Sequence, residues 1–195
     1  VNDDREAAAL AAAANHYVAF LQALGVAWGE AATQDTARRV AELVHQWTRA
    51  ERESLPALSL IDAPSPQPEW VVVRGVRFHS FCEHHMVPFF GCLDVAFLPE
   101  RTIVGFGSIV RLLDHLCHRP QLQERLVEEM AEALWVALQP RGLMVRIAAR
   151  QLCVELRGRG HGIVCTSFGV RGCCATAEGR TLALGLLGPE LSEGL

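Results

Sequence analysis

The sequence predicts an α+β protein with a helical N-terminal extension. Three observations carry that reading: apolar residues recur at helical spacing early in the chain, four prolines crowd the stretch that follows, and β-branched runs then flank two further helical segments. At 195 residues, 50% apolar and 21% charged, the chain has the size and balance of one ordinary domain with a core of its own.

A first helix is predicted over 5–25, with Asn2 or Asp3 as its cap. A second opens at Asp35 or Thr36, where Val40, Leu43, Val44 and Trp47 fall at i, i+3, i+4 and i+7 and form one apolar stripe. Residues 1–53 are therefore a helical extension. Pro56, Pro64, Pro66 and Pro68 make 54–69 a connector without regular structure, and 70–195 the main domain. Residues 70–78 and 92–98 read as strands. A short helix is expected over 108–117, and a longer one from Pro120, a residue suited to the first helical position. Leu122, Leu126, Met130 and Leu134 line one side of the longer helix until Pro140 and Gly142 end it. Residues 143–156 and 163–170 read as strands of an antiparallel hairpin, joined through Gly158, Gly160 and Gly162.

Charge and cysteine usage narrow the function. A net charge of −4 lacks the basic excess of a nucleic-acid surface, so phosphate binding falls to a few placed arginines on a small anionic ligand. Seven cysteines form no even framework, which favours reduced thiols and metal ligation. The Ala-rich opening follows acidic residues rather than a basic segment, and no apolar run approaches the ~20 residues of a membrane span. A soluble, cytoplasmic protein with no membrane partner is expected.

The densest chemistry lies in Cys82-Glu83-His84-His85, where a thiol and an imidazole can reach one metal from a turn. Spacing alone leaves the pair even between a metal site and an accident of a cysteine-rich chain. Cys153 is the best third ligand, because strand periodicity would aim Gln151, Cys153, Glu155 and Arg157 at one face. Two thiolates and one imidazole suit Zn2+ and leave it one open position for water, whose pKa zinc lowers towards ~7. That arrangement argues for hydrolysis.

These residues resemble the GTP cyclohydrolase I family. The likeness rests on Cys-Glu-His-His at 82–85, Gln123-Glu124-Arg125-Leu126, and Cys153 followed by Arg157-Gly158. Weaker echoes are Thr36-Ala37-Arg38-Arg39-Val40, and Arg111 after Gly107-Ser108. The resemblance implies a tunnelling fold, in which antiparallel sheets with two helices on one face close an oligomeric β-barrel, usually a decamer with sites between subunits. It implies zinc on Cys82, His85 and Cys153, and hydrolytic attack at C8 of the guanine of GTP. The implied products are 7,8-dihydroneopterin triphosphate and formate. His84 would carry protons, a task suited to imidazole. Glu124, beside Gln123, would accept from guanine N1–H and the 2-amino group, whereas without the resemblance it reads as an ordinary first-turn glutamate. Arg39, Arg111 and Arg157 would bind the triphosphate.

The match has departures. Gln151 stands where the family has a histidine implied in proton transfer, and an amide does not titrate near neutrality. Ser108 replaces a phosphate-binding lysine and Gly107 a serine, the glycine-rich loop is shorter, and apolar residues at 182–187 replace acidic ones. Beside the complete reaction stand two alternatives: a diverged hydrolase that stops at a ring-opened formamidopyrimidine nucleotide or uses another guanine nucleotide, and an inactive nucleotide-binding paralogue. A nitrile reductase of the same fold is disfavoured by the intact Cys-Glu-His-His run and the lack of a dinucleotide glycine fingerprint. Cys92, Cys117, Cys165, Cys173 and Cys174 read as small buried apolar residues.

Overall fold

The computed structural model describes residues 2–26, 29–64, 69–158, 160 and 162–190. It divides into two compact units, Val1–Arg52 and Glu53–Leu195.

The first unit is a helical pair, α1 (Asn2–Ala23) and α2 (Glu30–Trp47). Gly25, with φ 73°, takes the left-handed conformation just past the end of α1, the usual role of glycine at a helix C-terminus. α2 opens at Glu30, after Gly29 at φ 86°, so Asp35 lies inside the helix, where it pairs with Arg38 and Arg39 at 2.9 and 2.8 Å. The contact is made by Ala14 and Val18 of α1 against Ala37 and Ala41 of α2. Leu43, part of the expected stripe, is 42% exposed, and Leu10 and Tyr17 of α1 pack against the buried seam instead. The side chains of Asn2 and Asp3, the expected caps, lie outside the described residues, as do Pro66 and Pro68.

The second unit is built on a five-stranded sheet, with β1 (Leu60–Asp62) and β4 (Thr102–Val104) paired separately. β2 (Val71–Cys82), β3 (Pro88–Leu98), β6 (Gly142–Gln151) and β7 (Val164–Gly172) run antiparallel to their neighbours. β5 (Pro120–Gln121) adds a short parallel edge to β2, giving the order β5-β2-β3-β6-β7. Helices α3 (Phe106–Cys117) and α4 (Gln123–Leu138) cover one face.

Strand alternation explains the two faces. Val95 and Phe97 of β3 and Val145 and Ile147 of β6 join the core with Leu112, Met130 and Leu134 of α3 and α4. The intervening Ala96 and Met144 face the other way, against Ala183 and Leu187 of α6 (Ala177–Leu187). A sheet covered on both faces reads as a near-continuous apolar run, which the middle of β3 and β6 does. Gly169 of β7 must be glycine: a Cβ there would lie 2.7 Å from Ala131 Cβ and 2.9 Å from Val127 O, so α4 could not sit so close.

On the α6 face one ion pair is buried. Asp94 and Arg146 are directly opposite on β3 and β6, 3% and 4% exposed, and Arg146 donates to Asp94 Oδ2 from Nε at 2.9 Å and Nη2 at 2.5 Å. Asp94 Oδ1 accepts from Gly75 N at 2.8 Å, at the bulge of β2, and Arg146 Nη1 donates to Gly188 O at 2.8 Å, just past α6.

Some expectations for this unit change. The connector contains β1. Residue 120 pairs with Phe81 in β5 instead of opening α4, which begins at Gln123 with Leu122 extended before it. Residues 143–156 are not one strand: β6 stops at Gln151 and a helical turn, α5 (Leu152–Glu155), follows. The apolar stretch 182–187 lies in α6, with Ala183 and Leu187 buried and Leu182, Leu184 and Leu186 exposed.

Candidate metal centre

Cys82 closes β2, and the chain reverses at once. Cys82 N donates to Val87 O at 3.0 Å, Met86 N donates to Cys82 O at 2.9 Å, and Met86 takes a φ of 54° before β3 begins at Pro88. This tight turn sets residues three apart side by side, with Cys82 Sγ 3.7 Å from His85 Nδ1.

Cys153 arrives by another route than strand periodicity. β6 loses its partners at Gln151: β3 reaches it only at Phe89, near its first residue, and β7 pairs no further than Val164 with Arg150. Backbone groups with no ladder partner must find bonds locally. Leu156 N donates to Leu152 O at 2.9 Å, and Arg150 binds Glu155 through Nε and Nη2 at 2.9 and 2.6 Å, stapling the turn to the strand end. Residues 151, 153, 155 and 157 therefore do not share one strand face. The helical turn nevertheless brings Cys153 home: one ligand atom each of Cys82, His85 and Cys153 lies within 4.8 Å of the others.

The donor set fits a borderline-soft ion such as zinc, being two sulfurs and one imidazole nitrogen. Cys82 is buried, Cys153 half-buried and His85 exposed, so the centre has a protein side and an open side. Burial, followed by the Cys82 thiol beside it, raises the Cys153 thiol above its ordinary value.

Arg157 Nη1 lies 3.3 Å from His85 Nε2. His84 is exposed, its Nε2 3.9 Å from Glu83 Oε1. Gln151 Nε2 donates to Gln123 Oε1 at 2.8 Å, and the buried Gln123 directs its own Nε2 to Cys165 O, Ser167 Oγ and Ile147 O at 2.8, 3.1 and 3.2 Å. The Gln123 amide is thus engaged by protein groups. Glu124 stands exposed on the first turn of α4. Ser108 is buried on α3, its Oγ accepting from Ser59 N at 3.0 Å and from exposed Arg111 Nη2 at 2.9 Å. Arg39 belongs to the helical pair, where it bonds Asp35.

Sequence reading passed over Gln121. It is fully buried; Nε2 donates to Leu116 O and Glu129 Oε2, both at 3.1 Å, and Oε1 accepts from Leu122 N at 3.1 Å and Arg125 Nε at 2.7 Å. Of the unassigned cysteines, Cys92, Cys117 and Cys174 are buried as expected, whereas Cys165 on the edge strand β7 is exposed.

Two thiols and an imidazole converging on the end of an α+β sheet define a domain with a Cys2His candidate metal site. Residues 13–182 match the sequence model of GTP cyclohydrolase I, and the chain belongs to that family. It is 38% identical over 139 residues to GTP cyclohydrolase 1 of Sulfurihydrogenibium sp., covering 71% of this chain and 73% of that protein. It is 37% identical over 139 residues to the Aquifex aeolicus protein of the same name, covering 71% and 74%. Among solved structures, archaeosine synthase QueF-Like in the apo form aligns with a TM-score of 0.44 at 18% identity, over 55% of this chain and 96% of that one.

Proposed function

We propose that this chain is a zinc-dependent GTP cyclohydrolase I-type hydrolase that attacks C8 of the guanine of GTP and opens the imidazole ring. The reaction releases formate and closes to 7,8-dihydroneopterin triphosphate. The observation that carries the reading is the convergence of Cys82, His85 and Cys153 ligand atoms within 4.8 Å.

Cys82, His85 and Cys153 would hold the ion. Zinc, when bound, supplies a Lewis acid that brings the pKa of a coordinated water near neutrality. The chain's own residues do the rest. Glu124 accepts from guanine N1–H and the 2-amino group, a pairing that adenine cannot offer. Exposed His84 gives and takes a proton at a ring nitrogen as ring atoms become amines. Arg111, which donates to the buried Ser108, and Arg157 hold the triphosphate through guanidinium donors, a role proposed for Arg39 as well. Gln123 braces Gln151, whose amide hydrogen-bonds without titrating. In keeping with the family, the second unit adopts the tunnelling fold as the catalytic domain and works in a homo-oligomeric barrel, a decamer, in the cytoplasm.

One observation favours a second reading. Gln151 Nε2 gives one of its two hydrogens to Gln123, which leaves one N–H and the carbonyl oxygen, and a proton-transfer group is missing where the family has one. Such a loss typically costs ~10²–10⁴-fold in the step it serves. In this second reading the enzyme stops at the ring-opened formamidopyrimidine nucleotide. Incubation of the zinc-loaded protein with GTP separates the two: pterin absorbance with stoichiometric formate supports the complete reaction, and a product that retains the formyl carbon supports the second. Absence of any turnover refutes both. Under the second reading, Gln151→His should gain formate release by ~10²-fold or more.

A further inference from the structure

The turn that carries the candidate metal ligands is tied to the start of α4 by a network built around one guanidinium. Arg125 Nη2 donates to Glu83 Oε2 at 2.6 Å and to Pro120 O at 2.9 Å, while its Nε donates to Gln121 Oε1 at 2.7 Å. The backbone repeats the tie: Glu83 N donates to Gln121 O at 3.1 Å, and Cys82 pairs with Gln121 in the β2–β5 ladder. Gln121 has both amide hydrogens and both carbonyl sites occupied, and Glu129, which accepts one of those hydrogens, is itself paired with Arg119. The receiving end of the network therefore cannot rotate without losing several bonds at once.

Glu83 is the free end. It lies between Cys82 and His84 in a turn whose backbone is held by Cys82 N to Val87 O, Met86 N to Cys82 O and Glu83 N to Gln121 O. Its second oxygen, Oε1, is 3.9 Å from His84 Nε2, so the carboxylate held by Arg125 also faces the candidate proton carrier. With 39% and 32% of their side chains exposed, Arg125 and Glu83 would contribute little to overall stability as a surface ion pair. Their value is geometric: three donations from one planar group fix where the turn stands relative to β5 and to Gln123 and Glu124, which open α4.

We propose that Arg125 is a positioning residue which, through Glu83, sets the Cys82–His85 turn for metal binding and aligns it with the guanine-recognition end of α4. This deepens the proposed function and rests on its metal-site reading. The test is a Zn2+ affinity measurement by competition with a chromophoric chelator, alongside thermal unfolding, on the full chain and on Glu83→Gln, Arg125→Gln, Arg125→Lys and the Glu83→Gln/Arg125→Gln double variant. Each glutamine variant should bind Zn2+ about 10–100-fold more weakly with little change in melting temperature, and the double variant no more weakly than the worse single. Arg125→Lys, which restores the charge without the fork, should recover only part of the loss. Single variants that bind within about twofold of the parent overturn the proposal, as do losses that multiply in the double. Glu83→Gln keeps the shape of its side chain, so that arm decides even if Arg125→Gln does not fold. A parent chain that binds no Zn2+ overturns the metal-site reading itself, and this proposal with it.

Discussion

Replacing Asp94 by alanine should be among the most damaging single changes outside the candidate metal centre. Arg146 is 4% exposed and would lose both bonds to Asp94 Oδ2, at 2.9 and 2.5 Å, while Gly75 N would lose its acceptor at 2.8 Å. Removing one partner of a buried ion pair costs ~3–5 kcal/mol, because the other charge stays desolvated. The orphaned Gly75 amide adds ~1–3 kcal/mol, and the surviving bond from Arg146 to Gly188 O offsets part of the total. A net loss of ~4 kcal/mol corresponds, for a chain of this size, to a fall of roughly 8–16 °C in melting temperature. Thermal unfolding followed by circular dichroism measures it. The double change Asp94→Leu with Arg146→Met should sit far closer to the parent, since it leaves no unpaired charge. An Asp94→Ala melting temperature within ~2 °C of the parent would refute the claim that this pair clasps β3, β6 and the end of α6 together.

Cys153→Ser should lower the bound zinc per chain and abolish turnover while leaving the sheet folded, as read by metal analysis and circular dichroism. Glu124→Gln removes the charge from the proposed guanine contact, worth ~1.5–3 kcal/mol, so the KM for GTP should rise roughly 10–150-fold with an unchanged melting temperature. Thiol alkylation at neutral pH should reach exposed Cys165 first and reach Cys117 and Cys174 only on unfolding. Burial, then the neighbouring Cys173, pushes the Cys174 thiol up to about 12. Its contribution to stability is therefore complete below ~8.5, the ordinary thiol value, and is lost as pH climbs towards the folded value. Melting temperatures across that range, compared with those of Cys174→Ala, check the direction.

Sequence pattern made the two long middle strands, both covering helices and the Cys-Glu-His-His turn legible, because each is a local signal: alternation, spacing of four, or a motif. What it missed depended on partners distant in the chain. The period-2 run after residue 143 gives no sign of where its neighbours end, so the strand seemed to continue through Cys153, and α5 was invisible. Pro120 has a fixed φ that suits a helix start and a strand edge equally, and only its pairing with Phe81 decides. Asp94 and Arg146 did carry a signal: each is a charge set inside an apolar run, between Leu93 and Val95 and between Val145 and Ile147. Buried charges come in pairs, so two such strands in one sheet point to an ion pair between them.

The position of Gln151 explains how this chain could depart from its family without losing its architecture. Its amide sits at the last residue of β6 and donates to Gln123, whose own amide is anchored on Ile147 of β6 and on Cys165 and Ser167 of β7. A histidine there could donate one ring N–H to the same Gln123 oxygen and keep its other ring nitrogen for proton transfer. Glutamine supplies the same anchoring N–H and presents a carbonyl oxygen in place of that nitrogen. The exchange therefore preserves the brace that joins α4 to the hairpin while removing a group that titrates near neutrality. Gln151→His should accordingly fold like the parent, so that any difference in product or formate yield between the two reports on proton transfer and not on the fold.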